Sequence, residues 1–528
     1  MANTLKFGNE NWATKKDSIL AYNDENANFK PLPFATSRAS TATRVNKLGL
    51  IEKVAVGIPR VDYLGNTKGA LLLEPQSRNL ISRSEAFASS YWTKSGASIE
   101  GDASTAGVEK VVNGDFASDS NWTKGAGTTI SGGSANFSSA TAVSLYQSVS
   151  ATVNSLVTFN VTNYVSGVLN VYLGGSESVS TQNVSANGNG NYTVLLDFNT
   201  GNGNIIFGSS NSFTGSIDNV SIKEVSGFAS PSADSPLGAF KLVEDTSNGQ
   251  HYVEVSSMTI SNNTKHTQSF YVKYNGSQFI RIFASALNAY TYFDVLNGAI
   301  GSTTAESNSI KLLSNGWFRC SITDESISTS TTFKISLAES DGDVQYTGNG
   351  TSGVYIFGAQ LEQKSYATSY IKTSGSQITR LSDTASQTVP DGVIGQTVGG
   401  VVYMDFIAQN SEGLSQSHFW MGSAGSEIGV YGSNPLIFYS SGGVSIQGAN
   451  LVTGERYKIA LAFETNDYAA YVNGVQIGVD LSATYPNMSS IYLNSYNNGT
   501  EIQKKKINDF RLYNTRLSNS ELATLTTI

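Results

Sequence analysis

Apolar and polar residues alternate with a period of two along many short segments of this chain. The pattern is clear in segments 239–244 and 268–273, and it returns at 279–283, 290–295, 316–323, 332–337 and 354–361. Alternation of this kind predicts strands that turn one face toward a core. Strands at this spacing predict a β-sandwich built from residues 79–110 and 228–372.

Residues 391–528 carry a second set of strand and turn signals. Segments 457–463 and 468–472 predict a strand pair, and Asn473-Gly474 predicts a tight hairpin, since such a turn needs positive φ. Near the end, Ser518 and Glu521 have capping-box spacing, which predicts a short terminal helix. These signals indicate a further sandwich domain.

Composition favours the same fold class. The 528 residues are too many for one core and allow three or four domains. Only 14% of the residues are charged, whereas there are 51 Gly, 26 Tyr and 24 Phe. Short strands joined by small polar turns give this balance. We therefore predict an all-β, multidomain β-sandwich or jelly-roll protein.

The pattern of the first large domain is interrupted by a segment that repeats its beginning. The motif that leads to Trp92 returns before Trp122. The repeat predicts that residues 111–225 are one jelly roll inserted into another. The ends of the inserted segment should be neighbours, because a domain can enter a surface loop only when its termini lie close together.

Two other regions carry few strand signals, apart from the apolar run 70–73, which predicts a buried strand. Residues 1–78 show little periodicity and contain Pro31, Pro33 and Asn-rich turns, and such a segment is expected to need a partner surface to become ordered. Residues 373–390, which contain several Ser and Thr, are interpreted as a linker.

Charge limits the partners. The formal net charge is -8, and the one basic run is Lys504-Lys505-Lys506, interpreted as a solvated strand end. Binding to nucleic acid depends on clustered Lys and Arg, so no nucleic-acid partner is expected. The sequence shows no apolar stretch of signal-peptide or membrane-span length. This predicts synthesis in the cytoplasm and no membrane insertion.

The single cysteine, Cys320, excludes an internal disulfide. Alternation places Cys320 on one strand face with Phe318 and Ile322, and Arg319 and Ser321 on the other. A free cysteine in such a strand is expected to be a small buried apolar residue.

Catalytic signatures are weak. The three histidines, His251, His266 and His418, lie outside any nucleophile-elbow or metalloprotease motif. The paired carboxylates of a glycosidase have no sequence signature of this kind, because their separation is spatial. We expect that the protein is not an enzyme.

Several motifs within residues 35–385 resemble bacteriophage virion proteins of the tail-fibre and head-fibre kind. They are Leu71-Leu72-Leu73-Glu74-Pro75-Gln76, Ser84-Glu85-Ala86-Phe87, Asn315-Gly316-Trp317-Phe318-Arg319-Cys320 and Phe357-Gly358-Ala359-Gln360-Leu361-Glu362. The resemblance implies a protein of the virion surface, synthesised in the host cytoplasm, whose segment 1–78 attaches to other virion proteins. It also implies a homo-oligomer, since fibres of this kind are often trimers.

The insert is similar to the jelly rolls of carbohydrate-binding modules, through Asn113-Gly114-Asp115-Phe116 and the alternating run 215–222. Residues 391–528 resemble the concanavalin-A-like or laminin-G-like sandwich. Both resemblances imply recognition of glycans, here those of a bacterial surface. The first also implies a structural calcium held by Asp115 and Asp218. The alternative is that Asp115 belongs to a turn and Asp218 faces solvent.

Sugar rings stack on exposed aromatic faces beside polar groups. Tyr431 and Tyr496 lie in polar turns and are candidates for glycan contact, whereas the equivalent places of Trp92 and Trp122 favour a shared role in the cores. Two functions remain open: a fibre that attaches to host glycans, and a purely structural collar or capsid-decoration protein.

Overall fold

The structure is a computed structural model. It describes residues 4–23, 32–101, 107–149, 154–173, 184–197, 203–224, 227–388, 399–408, 417–423, 426–431, 436–441, 443–448, 450–452, 454–484, 490–495 and 504–528. The fold is almost entirely β, as predicted, and it has two compact units. One contains residues 1–99, 231–234 and 242–528, and the other contains residues 100–230 and 235–241.

Short strands occupy the first hundred residues, including residues 1–78, where the sequence showed little periodicity. They are β1 (Thr4–Gly8), β2 (Thr14–Lys15), β3 (Ser18–Asn23), β4 (Leu32–Ser37), β5 (Ala42–Val45), β6 (Ile51–Val54), β7 (Arg60–Asp62), β8 (Ala70–Leu73), β9 (Ser77–Asn79), β10 (Thr93–Ser95) and β11 (Ala97–Glu100).

The second unit contains a sheet of its own. Its strands are β12 (Thr123–Lys124), β13 (Thr128–Ser131), β14 (Ser134–Ser148), β15 (Asn154–Ser166), β16 (Leu169–Leu173), β17 (Val184–Ala186), β18 (Gly190–Asp197) and β19 (Asn204–Glu224). The long strand β19 pairs with β14, β15 and β16. Glu109 forms a β-bridge with Lys223, and Lys110 N–H donates to Ile222 O over 2.9 Å. The prediction that the two ends of the inserted segment are neighbours is confirmed.

The next strands form most of what we call the outer sandwich. They are β20 (Phe240–Glu244), β21 (Asn248–Gly249), β22 (Tyr252–Thr259), β23 (Lys265–Asn275), β24 (Phe279–Ala284), β25 (Ala289–Asp294), β26 (Ala299–Thr303), β27 (Ser307–Leu312), β28 (Trp317–Glu325), β29 (Ser330–Ala338), β30 (Tyr346–Thr347) and β31 (Gly353–Glu362), with 3-10 turns at Ser285–Leu287 and Ser314–Gly316. The strands predicted by alternation are confirmed.

Two six-stranded sheets face each other in the outer sandwich. Their strand orders are β10-β22-β29-β24-β25-β26 and β11-β20-β31-β23-β28-β27, so β27 is an edge strand. Phe270 in one sheet and Phe333 in the other have ring centroids 6.4 Å apart, and both rings are fully buried. The core of the sandwich therefore lies between the two sheets.

The remaining elements follow residue 377. They are β32 (Ile378–Arg380), β33 (Thr384–Thr388), β34 (Gly400–Ile407), β35 (Ser417–Ser423), β36 (Ser426–Tyr431), β37 (Ile437–Ser440), β38 (Val444–Gln447), β39 (Arg456–Phe463), β40 (Tyr468–Val472), β41 (Val475–Asp480), β42 (Ser490–Tyr492), β43 (Lys505–Tyr513) and α1 (Asn519–Thr526). Positive φ at Asn473 and Gly474 joins β40 to β41, and Ser518 caps α1 with Glu521, as predicted. No helix in the described part of the chain has the length and apolar character to cross a membrane.

Strands from both ends of the chain build the last sandwich, which we call the terminal sandwich. One sheet runs β41-β40-β39-β34-β43, and β1 and β8 both pair with the free side of β43. The other runs β2-β3-β4-β33-β42-β35-β36-β37-β38. Their apolar faces share one core.

This pairing corrects the expectation that residues 1–78 need a partner outside the chain to become ordered. The ring of Phe7 lies 5.2 Å from that of Phe34 and 5.5 Å from that of Phe510, measured between centroids. All three rings are buried. The partner surface is the C-terminal part of the same chain, which a scan for local periodicity does not reveal. A role of this segment in attachment to virion proteins stays a prediction.

The interpretation of residues 373–390 as a plain linker is also corrected where the segment is described. Strand β32 pairs with β9, and β33 lies between β4 and β42. Arg380 and Asp383 are buried. Each of these two charges has an opposite charge beside it inside the fold, Glu74 for Arg380 and Arg38 for Asp383.

Candidate functional site

A cavity of about 830 Å³ opens beside the edge strand β27, and we call it the β27 cavity. Its walls come from β27 and β28 of the outer sandwich, from residues 365–370, and from β8 and the start of β43 in the terminal sandwich. Small-ligand sites commonly measure about 300–1,000 Å³. The β27 cavity therefore has room for a small organic ligand.

Strand alternation supplies one wall of the cavity. Ser309 pairs with Ser321 and Lys311 pairs with Arg319 across β27 and β28, and all four residues line the cavity. The intervening residue Cys320 is fully buried on the opposite face, as predicted. The strand that buries the cysteine thus presents an arginine and a serine to the cavity.

The basic run at residues 504–506 supplies the facing wall, and its interpretation as a solvated strand end is wrong. Lys504 and Lys506 line the cavity, whereas Lys505 points the other way and is only 5% exposed. The physical reason is the place of β43, which lies between β34 and β8 inside a sheet. Successive residues of such a strand face different parts of the interior.

Two of the cavity cations are held by backbone carbonyls and aromatic rings. Arg319 donates from Nη1 to Thr368 O over 2.6 Å, and its guanidinium lies 5.3 Å from the centroid of the Tyr271 ring. Lys504 Nζ donates to Ala367 O over 3.0 Å and lies 4.7 Å from the centroid of the Tyr366 ring. These contacts hold the two side chains in place, while burial lowers the pKa of Lys504 to about 7.

Lys311 differs from these neighbours. Among the described residues, the side-chain ammonium of Lys311 has neither a hydrogen-bond nor an ion-pair partner. Its side chain is accessible from the cavity, yet the surrounding protein lowers the pKa of Lys311, and Lys506 and Arg319 lower it further. Nearby positive charges have this effect because they disfavour the protonated form of an amine.

The carboxylates that border the cavity are already engaged. Glu74 forms ion pairs of 2.9 Å with Arg60 and 3.5 Å with Arg380, and it accepts a 2.6 Å hydrogen bond from Ser369 Oγ. Burial alone would raise the pKa of Glu74, but Arg380 and Arg60 hold it well below its usual range. Glu74 is therefore ionised, and its charge is compensated from behind the cavity.

The second carboxylate, Asp62, is satisfied in the same way. It accepts a 2.6 Å hydrogen bond from Lys506 Nζ and a 2.8 Å hydrogen bond from Val45 N–H. The described lining thus contains five basic side chains, Arg44, Lys311, Arg319, Lys504 and Lys506, against the two acids Asp62 and Glu74, and Arg44 is paired with Glu52 beside the cavity. In a chain of net charge -8, this is a local concentration of positive charge.

A buried ionic network includes Glu74, one of the residues that line the cavity. Asp383 pairs with Arg38 over 2.9 Å and also with Arg60, which in turn reaches Glu74. The network joins β7, β8 and the segment around β32. Because breaking a buried pair leaves an uncompensated charge, it fixes the position of the cavity wall.

The two tyrosines predicted for glycan contact do not line the β27 cavity. Tyr431 is half-buried at the end of β36, and its ring centroid lies 6.3 Å from that of Tyr439. Tyr496 lies outside the described residues. A role of either residue in glycan contact stays a prediction.

The two aspartates predicted for calcium lie in segments that are hydrogen-bonded to each other, since Val220 N–H donates to Gly114 O. Asp115 Oδ1 accepts from Ala117 N–H over 3.3 Å in a turn, and Asp218 Oδ1 accepts from Asn219 N–H over 2.6 Å. The described residues contain no group of three or more His, Cys, Asp or Glu side chains able to hold a metal. Calcium prefers six to eight oxygen ligands, so its presence stays a prediction of the resemblance alone.

Trp92 and Trp122 are buried, as predicted for a shared core role. Each indole Nε1–H donates over 2.9 Å to the carbonyl oxygen nine residues earlier, Arg83 O and Asn113 O respectively. The repeated motif of the sequence is thus a repeated local structure.

Two of the histidines are described in full, and both are buried. His251 Nδ1 contacts Gly96 O, and His266 Nδ1 lies 3.0 Å from Thr264 O. Burial lowers the pKa of His266. Neither imidazole lines the β27 cavity.

The sequence did not point to the β27 cavity, because its residues are separated by several hundred positions. One signal was present: the alternation that identified the face of Cys320 also placed Arg319 and Ser321 together on the opposite face. The basic run at residues 504–506 is a second signal, but a run of charges by itself predicts a solvated strand end.

Comparison with known proteins gives structural neighbours only, since neither a family model nor a curated protein matches the chain. The carbohydrate-binding module of the Ruminococcus gnavus IT-sialidase, bound to α2,3-sialyllactose, shows 17% identity over 25% of this chain and 85% of its own, with a TM-score of 0.21. A domain of the extracellular arabinanase AbnA from Geobacillus stearothermophilus, in complex with arabinotriose, shows 17% identity over 31% of this chain and 84% of its own, with a TM-score of 0.22.

A third neighbour is a putative carbohydrate binding protein from Bacteroides ovatus, with 12% identity over 54% of this chain, 82% of its own and a TM-score of 0.22. The named neighbours thus include carbohydrate-binding domains, and the resemblance to phage proteins stays a prediction. At these TM-scores the overlap does not identify a ligand, so the chemistry of the site rests on its own side chains.

Proposed function

We propose that this protein is a phage virion fibre or decoration protein that attaches to glycans of a host surface, and that the β27 cavity is a glycan site. The observation that carries the binding proposal is the cavity itself, with hydroxyl, amide, aromatic and charged groups on its walls. The virion assignment rests on the sequence motifs.

The lining suits a ligand rich in hydroxyl groups. Ser309, Ser321 and Asn308 offer hydrogen-bonding groups on one wall, and the half-buried Tyr366 offers an aromatic surface on another. A sugar ring combines an apolar C–H face with a rim of hydroxyls, and such a wall matches both. The chemistry needed is binding, and we expect the glycan to be released unchanged.

Affinity at a single site should be modest. Hydrogen bonds exchanged with water contribute about 0.5–1.5 kcal/mol each, and association costs several kcal/mol. A dissociation constant in roughly the millimolar to high-micromolar range follows. Firm attachment would then arise from many copies on one particle.

The first prediction is that the full-length chain binds glycans of its host on a glycan array, and that Ser309→Trp abolishes the signal because the indole fills the β27 cavity. Ser328→Trp, at an exposed bend of the same sandwich, is the matched control and should bind like the wild type. Circular dichroism verifies that both variants are folded.

Absence of glycan binding by the wild type would overturn the proposal in favour of the purely structural collar or decoration protein. Binding that survives Ser309→Trp but is lost in Tyr431→Ala would place the glycan site on the terminal sandwich instead. Detection of the chain in purified phage particles by mass spectrometry tests the virion assignment separately.

A further inference from the structure

Resting on the proposed glycan site, we propose that the ligand of the β27 cavity is an acidic saccharide, one that carries a carboxylate, sulfate or phosphate group, and that Lys311 contacts this group. A neutral glycan would leave the ammonium of Lys311 without an anionic partner.

The position of Lys311 is the first argument. It lies on the open edge strand, lines the cavity and has no partner among the described residues, while its cross-strand neighbour Arg319 is held by Thr368 O and the Tyr271 ring. The Lys311 side chain is exposed, and an anionic group placed beside its ammonium forms a charge-assisted hydrogen bond.

The saturation of the acids is the second argument. Asp62 is paired with Lys506, and Glu74 with Arg60 and Arg380. Lys504 forms a longer ion pair of 3.9 Å with Glu74. An entering anion therefore meets Lys311 and Arg319, which have no carboxylate partner among the described residues.

The serines beside the charged pair distinguish a saccharide from a bare anion. Ser309 and Ser321 form the next cross-strand pair to Lys311 and Arg319 on the same face of the sheet. A ligand that reaches the charged pair with its acidic group can thus present hydroxyls to the serine pair. The free anion would use only the charged part of the wall.

The test measures the affinity of the full chain for matched oligosaccharides by calorimetry: a uronic-acid oligosaccharide, its carboxyl-reduced neutral form, and sulfated and phosphorylated forms of the same backbone. We expect at least one acidic form to bind about 10-fold more tightly than the neutral form. A hydrogen bond to a charged group is stronger than a neutral one by a free energy that corresponds to roughly this ratio of binding constants. The form that binds best identifies the acidic group.

Three variants locate the contact. Lys311→Gln should weaken binding of the acidic form about 10-fold and leave the neutral form unchanged, whereas Lys311→Arg should retain most of the affinity. Lys273→Gln, on the same sheet but outside the cavity, is the matched control. Thermal melting verifies that each variant is folded.

The outcomes separate this inference from the proposed function. Equal affinity for neutral and acidic forms would overturn the inference and keep the glycan site. Equal loss for both forms in Lys311→Gln would overturn the assignment of Lys311. If inorganic phosphate or sulfate bound as tightly as any of the oligosaccharides, the proposal that the ligand is a saccharide would be overturned.

Discussion

Lys505 shows that the face of a strand on which a residue lies decides the environment of its side chain. Its neighbours Lys504 and Lys506 face the β27 cavity, but its own ammonium lies 6.0 Å from the centroid of the buried Phe406 ring. Burial lowers the pKa of Lys505 to about 7. Burial also lowers the pKa of Lys504 to about 7, so the difference within this run is which side chains line the cavity.

The second prediction concerns pH. An unfolded lysine has a pKa of about 10.4, so between about pH 7 and pH 10 the unfolded chain binds more protons than the folded chain, and stability rises with pH. Below pH 7 the penalty of the buried charge is fully present. We expect the melting temperature of the wild type to rise from pH 7 to pH 9.

Lys505→Met should remove part of this rise and raise stability at pH 7 by about 1.4 kcal/mol or more, the equivalent of one pKa unit. Denaturant unfolding at pH 7 and pH 9 measures both effects. Lys15→Met, at an exposed position of β2, should change neither. If Lys505→Met kept the wild-type dependence of stability on pH, the interpretation of the Lys505 ammonium as a buried charge would be wrong.

At the scale of elements, β1 illustrates a strand whose identity depends on a distant partner. Thr4–Gly8 is too short to be stable alone, but it pairs along its length with residues 509–513 of β43. Leu5 and Phe7 enter the core of the terminal sandwich. The element exists because β43 offers one free side.

The third prediction tests this role of β1. Phe7→Ala should destabilise the terminal sandwich by about 3–5 kcal/mol, because it removes a fully enclosed ring between Phe34 and Phe510. Hydrogen exchange should show loss of protection in β43. Lys15→Ala, on the exposed β2, is the control. Unchanged protection of β43 in Phe7→Ala would restore the view of residues 1–78 as a segment independent of the rest.

At the scale of the whole molecule, the chain is built by interruption. Strands of the terminal sandwich come before and after the outer sandwich in the sequence, and the outer sandwich is itself interrupted by the segment that contains β12–β19. Pairings such as β1 with β43 close very long loops, whose entropic cost grows only slowly with length. Nested insertion is therefore compatible with a stable fold.

The final prediction concerns the inserted segment. Deletion of residues 111–225, with the ends joined by a short Gly/Ser linker, should leave the remaining chain folded, because Glu109 and Lys223 already lie side by side. Circular dichroism and thermal melting measure the result. Deletion of residues 305–325, which removes β27 and β28 from a sheet, should unfold the outer sandwich. Unfolding of the remaining chain in both deletion variants would contradict the interpretation of residues 111–225 as an inserted domain.

The sequence by itself determined the all-β fold, the strands of the outer sandwich, the hairpin at Asn473-Gly474, the capped helix α1 and the burial of Cys320. These features depend on local alternation and turn chemistry, which are written in neighbouring residues. Tertiary structure alone decided the place of β1, the buried ions of residues 380–383 and the β27 cavity. They depend on residues several hundred positions apart, and a charged side chain is buried only where a distant partner or a cavity receives it.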